Sequence, residues 1–264
     1  MNFKELEELI NSGVKEISLT EDVMSEGNYE DGIIICTDGL IIDGNNHKID
    51  ANSLGRIFIV EAKNVTLKNI VFVNGKTNGG GGAIVNYDVN LRIINCCFKN
   101  NLTNGGILLR ILGGGAIGSY SDMSLYNCKF ENNSAFGDNG GAIYLEHLNK
   151  NPVPKVVLKN CDFKNNYSDG ANNDFGSNGG AIYNENMDLV LYDCRFEDNA
   201  LSGWNNFSDN ESIFNGGVLS LNNCCFTAKS EGYFIFNVGQ LIIDDINLDS
   251  EDSILNKGSL ELIS

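Results

Sequence analysis

The chain has 264 residues, with 18 basic against 35 acidic side chains, a formal net charge of −17 and a sequence pI near 4.4. That balance excludes the basic surface that nucleic acid or an anionic membrane requires, and leaves cationic partners electrostatically open. Thirty Gly and only two Pro, both within Asn151-Pro152-Val153-Pro154, suit tight bends more than disorder.

From its start, Asn2-Phe3-Lys4-Glu5 reads as a helix N-cap with Glu at the third helical position. Phe3, Leu6, Leu9 and Ile10 mark one face before Asn11-Ser12-Gly13 ends the element. Residues 1–13 are therefore expected to form a capping helix laid over the first coil of a repeat structure. Met1 and Lys4 are followed by Glu5, Glu7 and Glu8, which is not the charged and then apolar opening of a signal peptide. No stretch reaches transmembrane length.

Residues 14–264 carry short apolar runs with strand periodicity, each too short for a helix: Ile17-Ser18-Leu19, Ile33 to Cys36, Leu40-Ile41-Ile42, Ile57 to Val60, Val65-Thr66-Leu67. From there a repeat becomes plain. Phe72, Phe98, Phe130, Phe163, Phe196 and Phe226 recur at gaps of 26, 32, 33, 33 and 30 residues, and Leu248 comes 22 later. Two places before each stands Ile70, Cys96, Cys128, Cys161, Cys194, Cys224 or Ile246, and just before that Asn69, Asn95, Asn127, Asn160, Asp193, Asn223 or Asp245. Upstream, Ile84, Ile117, Ile143, Ile182, Ile213, Ile235 and Ile254 open a second run, followed in five coils by Asn86, Asn184, Asn215, Asn237 or Asn256.

A period of this length signals stacked coils, since none can bury its own apolar face. Each coil reads as three short strands separated by Asn or Gly bends. Parallel strands about 4.8 Å apart place equivalent side chains over one another, giving an inward aromatic stack, a Cys/Ile stack and Asn stacks at corners. The fold class is all-β, a parallel β-solenoid in one continuous domain. Its period varies mostly after Phe-x-x-Asn, so inserted loops between residues 75 and 212 are expected along one edge.

The Gly-Gly-Ala-Ile runs at Gly81–Ile84, Gly114–Ile117, Gly140–Ile143 and Gly179–Ile182 pair with Phe98–Asn101, Phe130–Asn133, Phe163–Asn166 and Phe196–Asn199. Together they resemble the repeats of chlamydial polymorphic outer-membrane proteins. Asp38–Asn45 and Asn64–Asn69 are similar to segments of adhesin-like β-helix proteins of methanogenic archaea. The resemblance implies a right-handed parallel β-helix, a place at a cell surface and a role in adhesion.

Five of the eight cysteines fill one repeat slot that Ile takes at both ends, so thiol there acts as a small hydrophobe. Stacked equivalents stand too far apart for disulfide geometry, and no Cys-x-x-Cys or Cys/His spacing indicates zinc. Cys97 and Cys225 lie one place later and are expected to face outward as the reactive thiols. No metal or other cofactor is expected.

The β-helix scaffold hosts enzymes that cut acidic polysaccharides, which need converging carboxylates or a base with a cation. Asp162, Asp193, Glu197 and Asp198 stand at positions that are Asn or Lys in other coils, and His47 and His147 read as surface loop residues with no repeated acidic partner. The Gly pairs lack the Lys-Ser/Thr of a phosphate cradle and read as bends.

One surface is expected to bind. The insertions Ser134–Asn139, Tyr167–Asn178 and Leu201–Glu211 carry Phe136, Tyr167, Phe175, Trp204 and Phe207 among Asp138, Asp169, Asp174 and Asp209. Aromatics in polar loops offer large contact area to a glycan or a surface protein. The candidate binding residues are Trp204, Phe207, Phe175, Tyr167, Phe136, Asp174 and Asp209. Three classes stay open: a non-enzymatic adhesin-like module, a polysaccharide-active lyase or hydrolase, and an acidic structural or interaction protein.

Overall fold

A computed structural model describes residues 1–27, 29–105, 113–148, 152–169, 178–202, 211–228, 233–244, 246–248 and 253–263. Among these, one helix precedes a stack of parallel coils. Each regular coil contributes one strand to each of three sheets in chain order. In one coil these are Ile84–Asn86 in the first sheet, Leu91–Ile94 in the second and Cys97–Lys99 in the third. The sheets hold nine, ten and nine strands, and every pairing is parallel to the equivalent strand of the neighbouring coil. No helix among the described residues is long and apolar enough to cross a membrane.

The register places the repeated residues in columns. Phe72, Phe98, Phe130, Phe163, Phe196 and Phe226 face inward from the third sheet and are buried. Their successive ring centroids lie 4.8, 4.8, 4.7, 4.8 and 4.6 Å apart. The strand spacing sets that distance, so the rings stack as a consequence of register. Beside them the thiols of Cys96, Cys128, Cys161, Cys194 and Cys224 are buried and free. Each donates to a carbonyl two residues earlier and to one in the preceding coil, as Cys128 does to Tyr126 at 3.3 Å and Ile93 at 3.6 Å.

Asparagine defines the bends in two distinct ways. Asn69, Asn95, Asn127, Asn160, Asp193 and Asn223 take left-handed backbone, with φ between 50° and 54°, a conformation Asn and Asp tolerate best after Gly. Their exposed amides form a ladder, Asn95 donating to Asn69 at 3.1 Å and Asn127 to Asn95 at 3.0 Å. The Asn of Phe-x-x-Asn is instead buried. Asn101, Asn133 and Asn166 each donate through Nδ2 to the Oδ1 of the next coil's Asn at 2.9 Å, and a backbone N–H reaches the same oxygen. A third ladder runs Asn184, Asn215, Asn237 and Asn256 at 2.8, 2.7 and 2.7 Å.

The helix spans Phe3–Asn11 and carries the expected capping box, Asn2 Oδ1 accepting from the Glu5 N–H at 3.0 Å and Glu5 Oε2 from the Asn2 N–H at 2.8 Å. It buries Phe3, Leu6 and Ile10 over the first coils, whereas Leu9 stays exposed, a correction to the four-residue face read from sequence. A stripe at i, i+3, i+7 suffices where only one coil end lies beneath.

A fourth sheet is a departure from the sequence reading. After the buried Asn, or Gly75 in the first of these coils, the chain makes Lys76–Thr77, Leu102–Asn104, Ser134–Phe136, Tyr167–Asp169 and Ala200–Ser202, five parallel strands where the spacing predicts only loops. This side sheet leaves the solenoid through a neck. The second glycine of each Gly-Gly pair closes it: a Cβ on Gly141 would stand 2.1 Å from the Gly180 carbonyl oxygen and 2.6 Å from the Tyr167 N, so nothing larger than Gly fits. The first glycine is needed for its left-handed turn, as at Gly140 with φ 68°.

Truncating one ring of the stack, Phe130→Ala or Phe163→Ala, is expected to cost about 3–5 kcal/mol, because both are fully enclosed and leave a cavity between two rigid neighbours. Chemical denaturation of each variant measures it; unchanged stability in both would place the rings outside the core.

Candidate functional site

The side sheet alternates one enclosed column, Thr103, Ala135, Ser168 and Leu201, with residues that reach its surface. Phe136, at 40% exposure, meets Tyr167 of the next coil edge to face, centroids 6.0 Å apart. The Tyr167 hydroxyl shares a hydrogen bond of 2.5 Å with Ser202 Oγ, which lies 3.3 Å from Asp169 Oδ1. Strand pairing brings these four together, since Phe136, Asp169 and Ser202 are register partners in consecutive coils. The result is an exposed ring beside a hydroxyl–carboxylate chain.

Of the sequence-derived binding residues, Phe136 and Tyr167 are thus neighbours. Trp204, Phe207, Phe175, Asp174 and Asp209 lie outside the described residues. Asp138, read as flanking the loop aromatics, is buried, 1% exposed, and belongs to the interior of the insertion instead.

A second constellation is absent from the sequence reading. The middle residue of each first-sheet strand points outward, and this column holds Ile59, Val85, Gly118, Tyr144, Tyr183, Phe214 and Phe236. Tyr144, Tyr183 and Phe214 stack at 5.3 and 4.7 Å, and Val85, Tyr120, Tyr144 and Tyr183 form a small apolar cluster separate from the core. Tyr144 donates to Glu146 at 3.2 Å and Tyr183 donates closely to Glu185. Burial pushes all three tyrosine hydroxyls, including that of Tyr120, well above the usual phenol range. Its signal in the sequence is Ile-Tyr in two repeats, overshadowed by the more regular Ile and Asn on either side.

Two charged groups stand where the glycine column begins and ends. Arg56, register partner of Gly82, is buried and donates to the carbonyls of Gly80, Gly81 and Asp31 at 3.0, 3.0 and 3.1 Å, tying down the first neck; burial lowers its pKa. Glu211 comes after Gly180 in register, and its Oε1 accepts from the Gly179 N–H at 2.7 Å. Burial pushes the Glu211 carboxyl up to about 8.

The remaining candidates separate. His47 sits 3.3 Å from Asp22, an acidic neighbour that spacing does not suggest; the Lys48 N–H holds the Asp22 carboxyl below its usual range. Glu197 pairs with Lys164. No three His, Cys, Asp or Glu side chains among the described residues are arranged to hold a metal ion. Cys97 and Cys225 do face outward but are half-buried, and burial raises the Cys97 thiol to about 11, which suppresses the reactivity expected of it. Cys36 is the exposed thiol.

Coils of this kind agree with the comparison to known proteins: the family described as right handed beta helix region matches residues 20–186, more than half of the chain. The chain belongs to the right-handed β-helix family. It is also 32% identical over 149 residues to the "Probable autotransporter YfaL" of Escherichia coli (strain K12), a match covering 50% of this chain and 11% of that protein. The chain thus spans a small part of that relative's length. No solved structure matches it significantly.

The Glu211 carboxyl sets a pH dependence. Unfolded, it releases its proton near 4.5; folded, it keeps it to about 8. Folding therefore holds a proton across that window, and this contribution to stability is full below 4.5 and lost as pH rises through about 8. Urea unfolding of the wild type and Glu211→Gln from about pH 5 to about pH 8 is expected to show the variant gaining on the wild type as pH rises. A constant difference would mean that the carboxyl is solvated.

Proposed function

We propose that this chain is a non-enzymatic, adhesin-like β-helix segment that binds a glycan or a protein partner through the insertions along one edge. The observation that carries this reading is the side sheet itself: five coils give up their close-packed path to display residues away from the core. Its surface offers Phe136 against Tyr167, with Ser202 and Asp169 ready to exchange hydrogen bonds with a polar ligand. By sequence, the same insertions add Trp204, Phe207 and Phe175 with Asp174 and Asp209. Aromatic area with few rotamers and short polar groups is the usual composition of a recognition surface. The net charge of −17 disfavours acidic polysaccharide and favours neutral or cationic partners.

Similarity to a protein named as an autotransporter supports a place at the cell surface. Among the described carboxylates, Glu131 and Glu197 of the third sheet are paired with Lys99 and Lys164 as surface charge, which supports binding over turnover on that face. A polysaccharide-active enzyme is the competing reading.

A glycan and surface-protein panel assayed for both binding and bond cleavage separates them. Binding without cleavage is expected, and Phe136→Ala should weaken it by about tenfold, the effect of losing one contact aromatic, while thermal stability is kept. Cleavage of any polymer that is abolished by Asp169→Asn would overturn the reading, and full retention of binding by Phe136→Ala would remove the side sheet from it.

A further inference from the structure

The outer columns of the solenoid treat charge in two ways. On the third sheet, register stacks Lys99, Glu131, Lys164 and Glu197, so opposite charges alternate; Lys99 meets Glu131 at 2.8 Å and Lys164 meets Glu197 at 2.5 Å. On the first sheet the residues that follow the strands form a column that runs Glu61, Tyr87, Tyr120, Glu146, Glu185 and Gly216, in which the carboxylates of Glu146 and Glu185 are consecutive. One strand spacing, about 4.8 Å, separates their backbones. Each accepts a tyrosine hydroxyl, from Tyr144 and Tyr183, yet no Lys or Arg among the described residues forms an ion pair with either. Two like charges held side by side repel, and a neutral phenol offsets little of that.

A separate observation points to the same place. Tyr120 stands one coil before Glu146, packs with Tyr144, and is 8% exposed. Its hydroxyl is buried with no hydrogen-bond partner, within electrostatic reach of Tyr87 and Glu146, and also of Asp138 and the Arg56 guanidinium, whose own bonds go to carbonyl oxygens and Thr77. Buried hydroxyls are nearly always satisfied, so an orphaned one is costly and calls for an explanation. A Phe at this position would keep the stack on Tyr87, centroids 5.3 Å apart, without that cost.

A ligand able to neutralise two carboxylates and donate to a phenol oxygen is an ammonium group, with three N–H donors and one positive charge. The walls suit it too, because Tyr144, Tyr183 and Phe214 line the neighbouring column and aromatic rings attract cations. We propose that the row Tyr120, Glu146 and Glu185 on the outer face of the first sheet is a binding site for a primary amine, carried by a lysine-rich segment of a partner protein. This site is distinct from the side-sheet surface and stands whether or not that surface binds a glycan.

Titration calorimetry of the full chain with hexalysine, at low and at physiological ionic strength, tests it. The general acidity of the protein attracts any polycation, so the comparison is between two variants of equal charge: Glu146→Gln/Glu185→Gln and Glu8→Gln/Glu30→Gln. The first is expected to lose about tenfold in affinity and the second little, with the gap persisting at higher salt. Equal losses, or none, would overturn the site by assigning the binding to diffuse charge. Tyr120→Phe provides the second reading: it should raise thermal stability and weaken hexalysine binding several-fold. Higher stability with unchanged affinity would overturn the role given to the hydroxyl.

Discussion

Everything in this fold depends on one spacing. A parallel strand repeat of about 4.8 Å places like residues over like, and each residue type is tolerated only if it can stack on itself. Phenylalanine can, because offset parallel rings attract at that distance, and each buried ring contributes roughly 1.5–3 kcal/mol by leaving water. Asparagine can, because its amide both donates and accepts, so a ladder extends through Asn101, Asn133, Asn166 and Asn199 without an unpaired member between them. Carboxylate cannot do this unaided. Where Asp193 enters the exposed ladder it accepts from Asn223 at 2.8 Å but has no amide to offer Asn160. The rings supply stability, and the buried amides fix register, since a one-residue slip of a strand leaves polar groups unpaired inside at about 1–3 kcal/mol each.

The side sheet arises from the same constraint. Leaving the solenoid and returning to it brings two backbone segments together at each neck, and the Gly-Gly pair is the chemical mark of that approach. At the ends of the column the requirement lapses, and Arg56 and Glu211 occupy it, each held by backbone groups of the neighbouring turn. Surface columns obey the rule in electrostatic form. Alternating Lys and Glu neutralise one another on the third sheet, whereas consecutive Glu146 and Glu185 on the first sheet remain without such a partner among the described residues. The proposed amine site thus lies where a column breaks the rule its neighbours keep.

Much of this is legible in the residues. The Phe, Cys and Asn columns are readable because each repeats one residue type at one offset, and Asn2 with Glu5 announces the capping helix. The side sheet is not, because Leu102–Asn104, Ser134–Phe136, Tyr167–Asp169 and Ala200–Ser202 share no residue type; backbone pairing alone unites them. The outward column is hidden for the opposite reason: Val85, Tyr144, Tyr183 and Phe214 are apolar where an exterior position is expected to be polar. Burial of Asp138 and Glu211 depends on tertiary packing around the insertions, which periodicity cannot report. Of the loop residues chosen for binding, only Phe136 and Tyr167 fall within the described structure, and they do meet.

Buried amides couple each coil to the next, and native-state hydrogen exchange tests that coupling most directly. The backbone N–H of Asn133 is held by the Oδ1 of Asn166 in the following coil at 3.0 Å. Replacing Asn166→Ala should collapse protection at Asn133, in a different coil and 33 residues away in sequence, while Phe72 and its coil keep theirs. Protection at Asn133 unchanged by that substitution would contradict the claim that the ladder holds the stack in register.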